Sequence, residues 1–374
     1  MIKRADMKII SPDKDDGYYY FFGYYDLNAY SHDDSKHLFN RVKFMDRLPL
    51  KDDVAELGYI TLATGEVTVF AETTAWNFQQ GTMLQWYSDN EVLYNIRDGE
   101  EYRSVIHNIV TGAKRYTDKA VANVSPDGKY GVSINFNRVY DFRPGYGYCG
   151  VRDTWYDIGQ PEDDGVFLVD MLTGKAKLIV SYKQMDMPDD KYVINHITFN
   201  STSDRFLFLN RNFESPQKPW QTSLFTSDLE GNLHLILKDT MVSHYNWKNG
   251  NQILAYCRRF DGVNGVYGMY LIDDITDHIE RLDVPCFEKD IHCVYSPDRR
   301  YIIGDGYEID HHRPLYIYDT VTGEYDTLLR SYTVTPKIVD IRCDLHARWN
   351  HKGDKLSYDS VHRGKREIWQ LTLA

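Results

Sequence analysis

One strand-turn-strand unit recurs seven times along this chain, and no other feature constrains its fold as tightly. With the strand residue before each turn as anchor, the units are marked by Tyr30 (AYSHDDSKH), Trp86 (QWYSDNEVL), Val124 (NVSPDGKYG), Phe199, Trp247, Tyr295 and Trp349. Each pairs a short run and a polar turn of Ser, Asp, Asn and Gly with a second run such as YGVSINF, FLFLN or YIIGDG. Most then add a hairpin that turns on TG or EG, as in YITLATGEVTVF, VFLVDMLTGKAKLIV and LYIYDTVTGEYDTLL. Two hairpins per unit predict four strands per unit. Periodic four-stranded antiparallel units that leave no long exposed edge predict an all-β, seven-bladed β-propeller. The final unit, His346 to Ala374, has room for three strands, so a strand near Met7–Ile10 is expected to complete it and close the ring. A chain of 374 residues ordinarily divides into two or three domains. The uniform repeat predicts a single propeller domain over residues 1–374 instead.

Composition narrows the function classes. Thirty tyrosines suit sheets that pack through large aromatic side chains. A net charge of −12 gives no footprint for nucleic acid, so an anion site must be local and work against the global field. No stretch approaches the roughly 20 apolar residues that span a bilayer, and MIKRADMKIISPDKDD lacks a signal-peptide core, so no membrane association and a cytoplasmic location are expected. Five cysteines, odd in number and without CxxC spacing, are expected to be reduced.

The repeat also organises chemistry. Four units carry a histidine three residues before the anchor: His196, His244, His292 and His346. With 13 histidines in the chain, chance would place well under one in seven fixed positions. A lone histidine at a strand start ordinarily packs between blades, but equivalent positions of successive repeats point at one axis, and four in register predict a channel-facing set. The second strand of a blade ends on the rim where the first begins. About eleven residues past the anchors stand Arg41, Arg97, Arg211 and Arg258, with Asn135 and Arg138 in the third unit and His362 near the place in the seventh. Two long connections leave the same rim. The second, from Asn137 to Gly165, offers Arg143, Tyr146, Tyr148, Arg152 and Trp155, a mixture suited to stacking on sugar rings and bonding carboxylates. WNFQQGTMLQW adds Gln79 and Gln80 as partners for sugar hydroxyls. The SPDGK and SPDRR segments read as turns alone. In HHRP, the adjacent His311 and His312 would point to opposite faces of a strand, which argues against a shared metal.

HCVYSPDRRYIIGDG in the sixth unit and DLHARWNHKGDKLSYDSVHRGKREIWQL in the seventh resemble oligogalacturonate lyases. These are seven-bladed propellers that cleave short uronic-acid oligosaccharides by β-elimination with a bound divalent metal. The resemblance is clearest over the last three units. It implies metal ligation by His292 and His346, with Asp344 standing where the family has a further histidine and no counterpart of the family's glutamine. A carboxylate in that set is compatible with Mn²⁺, Ca²⁺ or Zn²⁺ and shifts selectivity toward harder ions. His244 matches an active-site histidine of the family, and Arg211 is the spatial candidate for its catalytic arginine. Other uronate-specific propeller lyases use His, Tyr and Arg, so the substrate class is a uronate-containing oligosaccharide or polysaccharide.

β-Elimination asks for three things. The uronate carboxylate must be neutralised, by a metal or by Arg211. A base must take the C5 proton, a role for His244 or His196. An acid must protonate the departing O4, for which Tyr146, Tyr148 or another histidine is expected. Arg41, Arg97, Arg143, Tyr148, Arg258 and Gln80 are the expected substrate-binding residues. Two other classes share these features: a non-catalytic propeller of the TolB or WD type that binds a glycan or protein, and a metal-dependent hydrolase.

Overall fold

Side chains inside the repeat close its turns. Ser31 Oγ donates to Asp33 and accepts from the Lys36 N–H. Ser125 with Asp127 and Ser296 with Asp298 repeat the arrangement, accepting from Tyr130 and Tyr301. Asn200 and Asn350 fill the position in two other units, their Oδ1 atoms accepting from Arg205 and Lys355. In the second hairpins Asn108, Asp170, Asp273 and Asp319 each accept two N–H groups two and three residues on. Such local bonds set turn geometry before any packing is made.

The structure is a computed structural model that describes residues 3–188, 191–212, 221–261 and 264–374. Among them, seven four-stranded antiparallel sheets form the blades of a β-propeller. Blade one holds Tyr19–Phe21, Lys36–Val42, Ala55–Thr61 and Glu66–Thr73, and blade two Gln85–Trp86, Glu91–Asp98, Glu101–Asn108 and Lys114–Tyr116. Blade three holds Val121–Val124, Tyr130–Ser133, Gly165–Asp170 and Ala176–Ser181. Blade four follows with Tyr192–Phe199, Arg205–Asn212, Gln221–Asp228 and Leu233–Thr240. Blade five holds Val242–Trp247, Gln252–Asp261, Asn264–Asp273 and Ile279–Arg281, and blade six Ile291–Tyr295, Tyr301–Gly306, His312–Asp319 and Tyr325–Tyr332. Blade seven combines Arg348–Trp349, Lys355–Ser360 and Glu367–Leu373 with Arg4–Ile9 from the other end of the chain, which closes the ring as expected.

The chain divides into two compact units, one of Met1–Arg97, Val105–Lys114 and Ile291–Ala374, the other of Asp98–Ser104 and Arg115–Asp290. Each has its own core, built where neighbouring blades press alternating apolar residues together. In the first, Ile303, Leu315 and Ile317 of blade six meet Trp349, Leu356 and Leu371 of blade seven. In the second, Leu207, Leu209 and Leu224 of blade four meet Trp247, Ile253 and Ile272 of blade five.

The Asn137–Gly165 connection carries the α-helix Phe136–Phe142, capped by Asn135, whose side chain accepts from the Arg138 N–H. Arg138 had a rim position by spacing; instead it is fully buried. It pairs with Asp153 at 3.0 Å and donates to the carbonyls of Tyr192, Trp155, Ile158 and Gly159. One guanidinium thus pins the insert. The five cysteines are free. Among the described residues no helix is long and apolar enough to cross a membrane.

Candidate functional site

The four histidines of the repeated column fall two and two between the units. His292 and His346 belong to the first, and their rings meet edge to face with centroids 4.5 Å apart. His292 sits in a regular ladder opposite Asp305, and its Nδ1 lies 3.1 Å from that carboxylate. His346 has a left-handed backbone (φ 43°), and its Nδ1 is 2.9 Å from the Gly23 carbonyl oxygen. A carbonyl only accepts, so Nδ1 of His346 carries the proton and Nε2 keeps the lone pair. Asp305 imposes the same tautomer on His292. An imidazole whose other nitrogen donates to a carboxylate or carbonyl is the usual arrangement of a metal-bound histidine.

Asp344 completes the group. One ligand atom from each of His292, Asp344 and His346 lies within 4.8 Å of the others, all three residues buried. The Asp344 carboxylate receives Arg313 at 2.7 Å and Arg342 at 2.8 Å. Burial opposes its ionisation, but these guanidiniums hold its pKa well below the ordinary carboxylate value. Burial, reinforced by His292, pushes the His346 pKa well below the ordinary histidine value, which keeps the imidazole neutral. The neutral His346 imidazole, the His292 ring and an ionised carboxylate are a fitting donor set for a divalent metal, with two nitrogens and one oxygen. Tyr24, Tyr25 and Tyr307 wall the group at ring distances of 5.0, 5.4 and 5.9 Å.

The second unit holds the other pair. His244 Nδ1 lies 2.8 Å from Asp290 Oδ1, and both side chains are largely buried. The carboxylate fixes the proton on Nδ1 and leaves Nε2 as a base, the orientation a general-base histidine needs. The His196 ring is 6.5 Å from that of His244, and Tyr146 packs edge-on against His196 at 5.7 Å. Arg211 is buried beside the same strand, one terminal nitrogen 3.5 Å from the carbonyls of Val242 and Ser243. Arg143 lies over the Tyr146 ring at 3.9 Å. His196, His244, Tyr146, Arg211 and Arg143 therefore occupy one unit. Backbone irregularity aims two of them. His196 has φ 55° at a register shift between Asn195 and Ile197, and His244 lies in a shift between Val242 and Tyr245. A bulge re-aims a side chain that a regular pleat would alternate away.

Several expected binding residues are otherwise committed. Tyr148, expected to meet a sugar, is fully buried, stacked on Phe136 at 4.5 Å and packed against Tyr102 at 5.2 Å within the insert. Arg41 is bonded to Glu56 through two nitrogens and lies over Tyr18. Arg97 donates to Lys51 O and Asp52. Arg258 lies over Tyr267 at 5.4 Å. Gln80 is buried in the turn where Asn77 and Gly81 pair, and its backbone abuts Gly23, whose carbonyl holds His346. Gln79 instead uses its amide on the carbonyls of Asp340 and Arg342.

The arrangement is a seven-bladed propeller with a His, Asp and Arg cluster in one unit and an Asp-oriented histidine beside a second histidine and a tyrosine in the other. No protein-family model and no curated protein matches the chain. Solved structures do. An oligogalacturonate lyase in complex with manganese aligns over 100% of this chain and 95% of its own at 15% identity, with a TM-score of 0.71. An oligogalacturonate lyase from Vibrio parahaemolyticus aligns over 99% and 95% at 14% identity, with a TM-score of 0.68. The tricorn protease shares the fold more distantly, at 11% identity and a TM-score of 0.56 over 96% of this chain and 34% of its own. Identities this low establish the shared fold and leave the chemistry to be argued from the residues.

Proposed function

We propose that the protein is a carbohydrate lyase that cleaves uronate-containing oligosaccharides or polysaccharides by β-elimination. The observation that carries this reading is the His244–Asp290 pair at 2.8 Å, grouped with His196, Tyr146 and Arg211 in one unit of a fold shared with oligogalacturonate lyases.

Arg211 neutralises the uronate carboxylate and so acidifies the C5 hydrogen. Nε2 of His244 takes that proton, while Asp290 holds the tautomer and stabilises the imidazolium that forms. The C–H electron pair becomes the new C4–C5 double bond and the C4–O4 bond breaks. Tyr146 or His196 gives a proton to the departing O4. A divalent ion held by His292, Asp344 and His346, Mn²⁺, Ca²⁺ or Zn²⁺, would supply Lewis-acid stabilisation of a carboxylate.

Incubation with oligogalacturonate and other uronate oligosaccharides tests the proposal directly. Ultraviolet absorbance from an unsaturated uronate is the expected result. New reducing ends without that absorbance would mean hydrolysis, and neither change would leave a binding protein.

A further inference from the structure

In the first unit, a cavity of about 240 Å³ opens beside the loop that leads into blade seven. Its walls are apolar, with Met45, Val334, Pro336 and Val361 among them, but Arg342 and Arg366 also line it. Both arginines are almost completely buried, at 5% and 2% exposure. Arg366 donates to the carbonyls of Ile341 and Arg342 and lies over the Phe78 ring at 4.6 Å. None of these partners is an anion. Among the described residues no carboxylate lies within ion-pair distance of Arg366: Asp344 is taken by Arg313 and Arg342, and Asp359 by Arg348. The Arg366 charge acts on the buried Asp359 carboxylate only from beyond contact, and a buried cation with no carboxylate in direct contact keeps a strong attraction for one that can reach it. Tyr332 and Val334 of the lining belong to a segment rich in exposed apolar residues. Tyr332, Val334, Ile338 and Val339 are 48, 58, 42 and 55% exposed within eight residues of sequence. Clustered exposed apolar side chains mark a binding surface more often than a solvated one.

We propose that this cavity is a binding site for a small carboxylate with an apolar body, its carboxylate on the Arg366 guanidinium and its ring or chain against Met45, Val334 and Val361. The space exceeds the ~150 Å³ that accommodates benzene in a protein interior, so an aromatic ring with its carboxylate fits. A free uronate, hydroxylated on every face, would lose its hydrogen bonds to water against these walls. The ligand proposed here is therefore not the sugar of the lyase reading, although Arg342, which lines this cavity, also holds Asp344 of the metal cluster.

The test is binding of benzoate to the full chain by titration calorimetry in chelator-containing buffer, so that no metal ion offers a competing carboxylate site. Benzyl alcohol serves as the neutral counterpart. Two variants approach the cavity by different routes: Arg366→Met removes the charge, and Val361→Phe fills the space while leaving both guanidiniums in place. Benzoate should bind and benzyl alcohol should not, and each variant should weaken benzoate by about tenfold or more, the scale of one charge-assisted contact pair. Melting of Val361→Phe should match the parent, which separates loss of the site from loss of the loop that Arg366 clamps. Equal binding of the acid and the alcohol, no binding of benzoate, or parent-like affinity in Val361→Phe would overturn the proposal.

Discussion

Asp290 and His244 illustrate how much one hydrogen bond decides. Replacing His244 by Ala removes the proposed base and should lower kcat on a uronate oligosaccharide by about 10²–10⁴. Asp290→Asn keeps the shape but no longer enforces the tautomer, so kcat should fall while KM stays near the parent value; a change in KM alone would remove Asp290 from the positioning role. For the proposed metal cluster of His292, Asp344 and His346, equilibrium dialysis with Mn²⁺, Zn²⁺ and Ca²⁺ should show binding that His292→Ala abolishes. Asp305→Asn, which removes the charge beside His292 and alters the bond from the Leu345 N–H, should weaken it by about 10–100-fold. His37 supplies a pH dependence of a different kind. It is wholly buried against Tyr30 and Phe22, and burial, with the Arg348 charge second, pushes its pKa from 6.5 down to about 3. The unfolded chain takes up a proton near pH 6.5 and the folded chain does not until about pH 3. The stability His37 contributes is thus fully present above pH 6.5 and drains away as pH falls toward 3, at about 1.4 kcal/mol per unit. His37→Leu should flatten that part of the urea-stability profile between these limits.

At the scale of the element, the insert between the second and third strands of blade three depends on Arg138. Arg138→Met leaves Asp153 buried without its cation and frees four carbonyls, so chemical denaturation should show a loss of about 3–5 kcal/mol. A loss below about 1 kcal/mol would mean that the insert is held by its aromatic packing. The histidine column was legible because blades are stamped from one pattern and a shared sequence offset becomes a shared place on each blade. Asp305 was recoverable too, since it stands opposite His292 in the hairpin register. Asp290 was not. It lies two residues before His292 but bonds to His244, which begins another blade, and no local periodicity relates the two. The same limit explains Tyr148 and Arg138. Their residue types suit a sugar site, and only the folding of the insert upon itself turns one into core and the other into a buried clamp.

For the whole molecule, the chain ends matter most. Arg4–Ile9 pairs with Glu367–Leu373, and the Ala374 and Lys3 backbones bond reciprocally at 3.0 Å. Removing residues 1–10 strips blade seven of its outer strand and exposes an apolar edge. The truncated chain should melt at lower temperature and aggregate on heating, whereas an unchanged melting curve would show that closure adds nothing to stability. Seven units, four strands per unit and the loan of a strand from the N-terminus were all determined by the sequence alone, because turn chemistry and strand alternation are local and repeat. The pairing of His244 with Asp290, the tautomers set by Asp305 and Gly23, and the burial of Arg366 without an anion were decided only by tertiary structure. Each depends on groups distant in the chain being brought within a hydrogen bond of one another, or kept from it, and no local pattern encodes that distance.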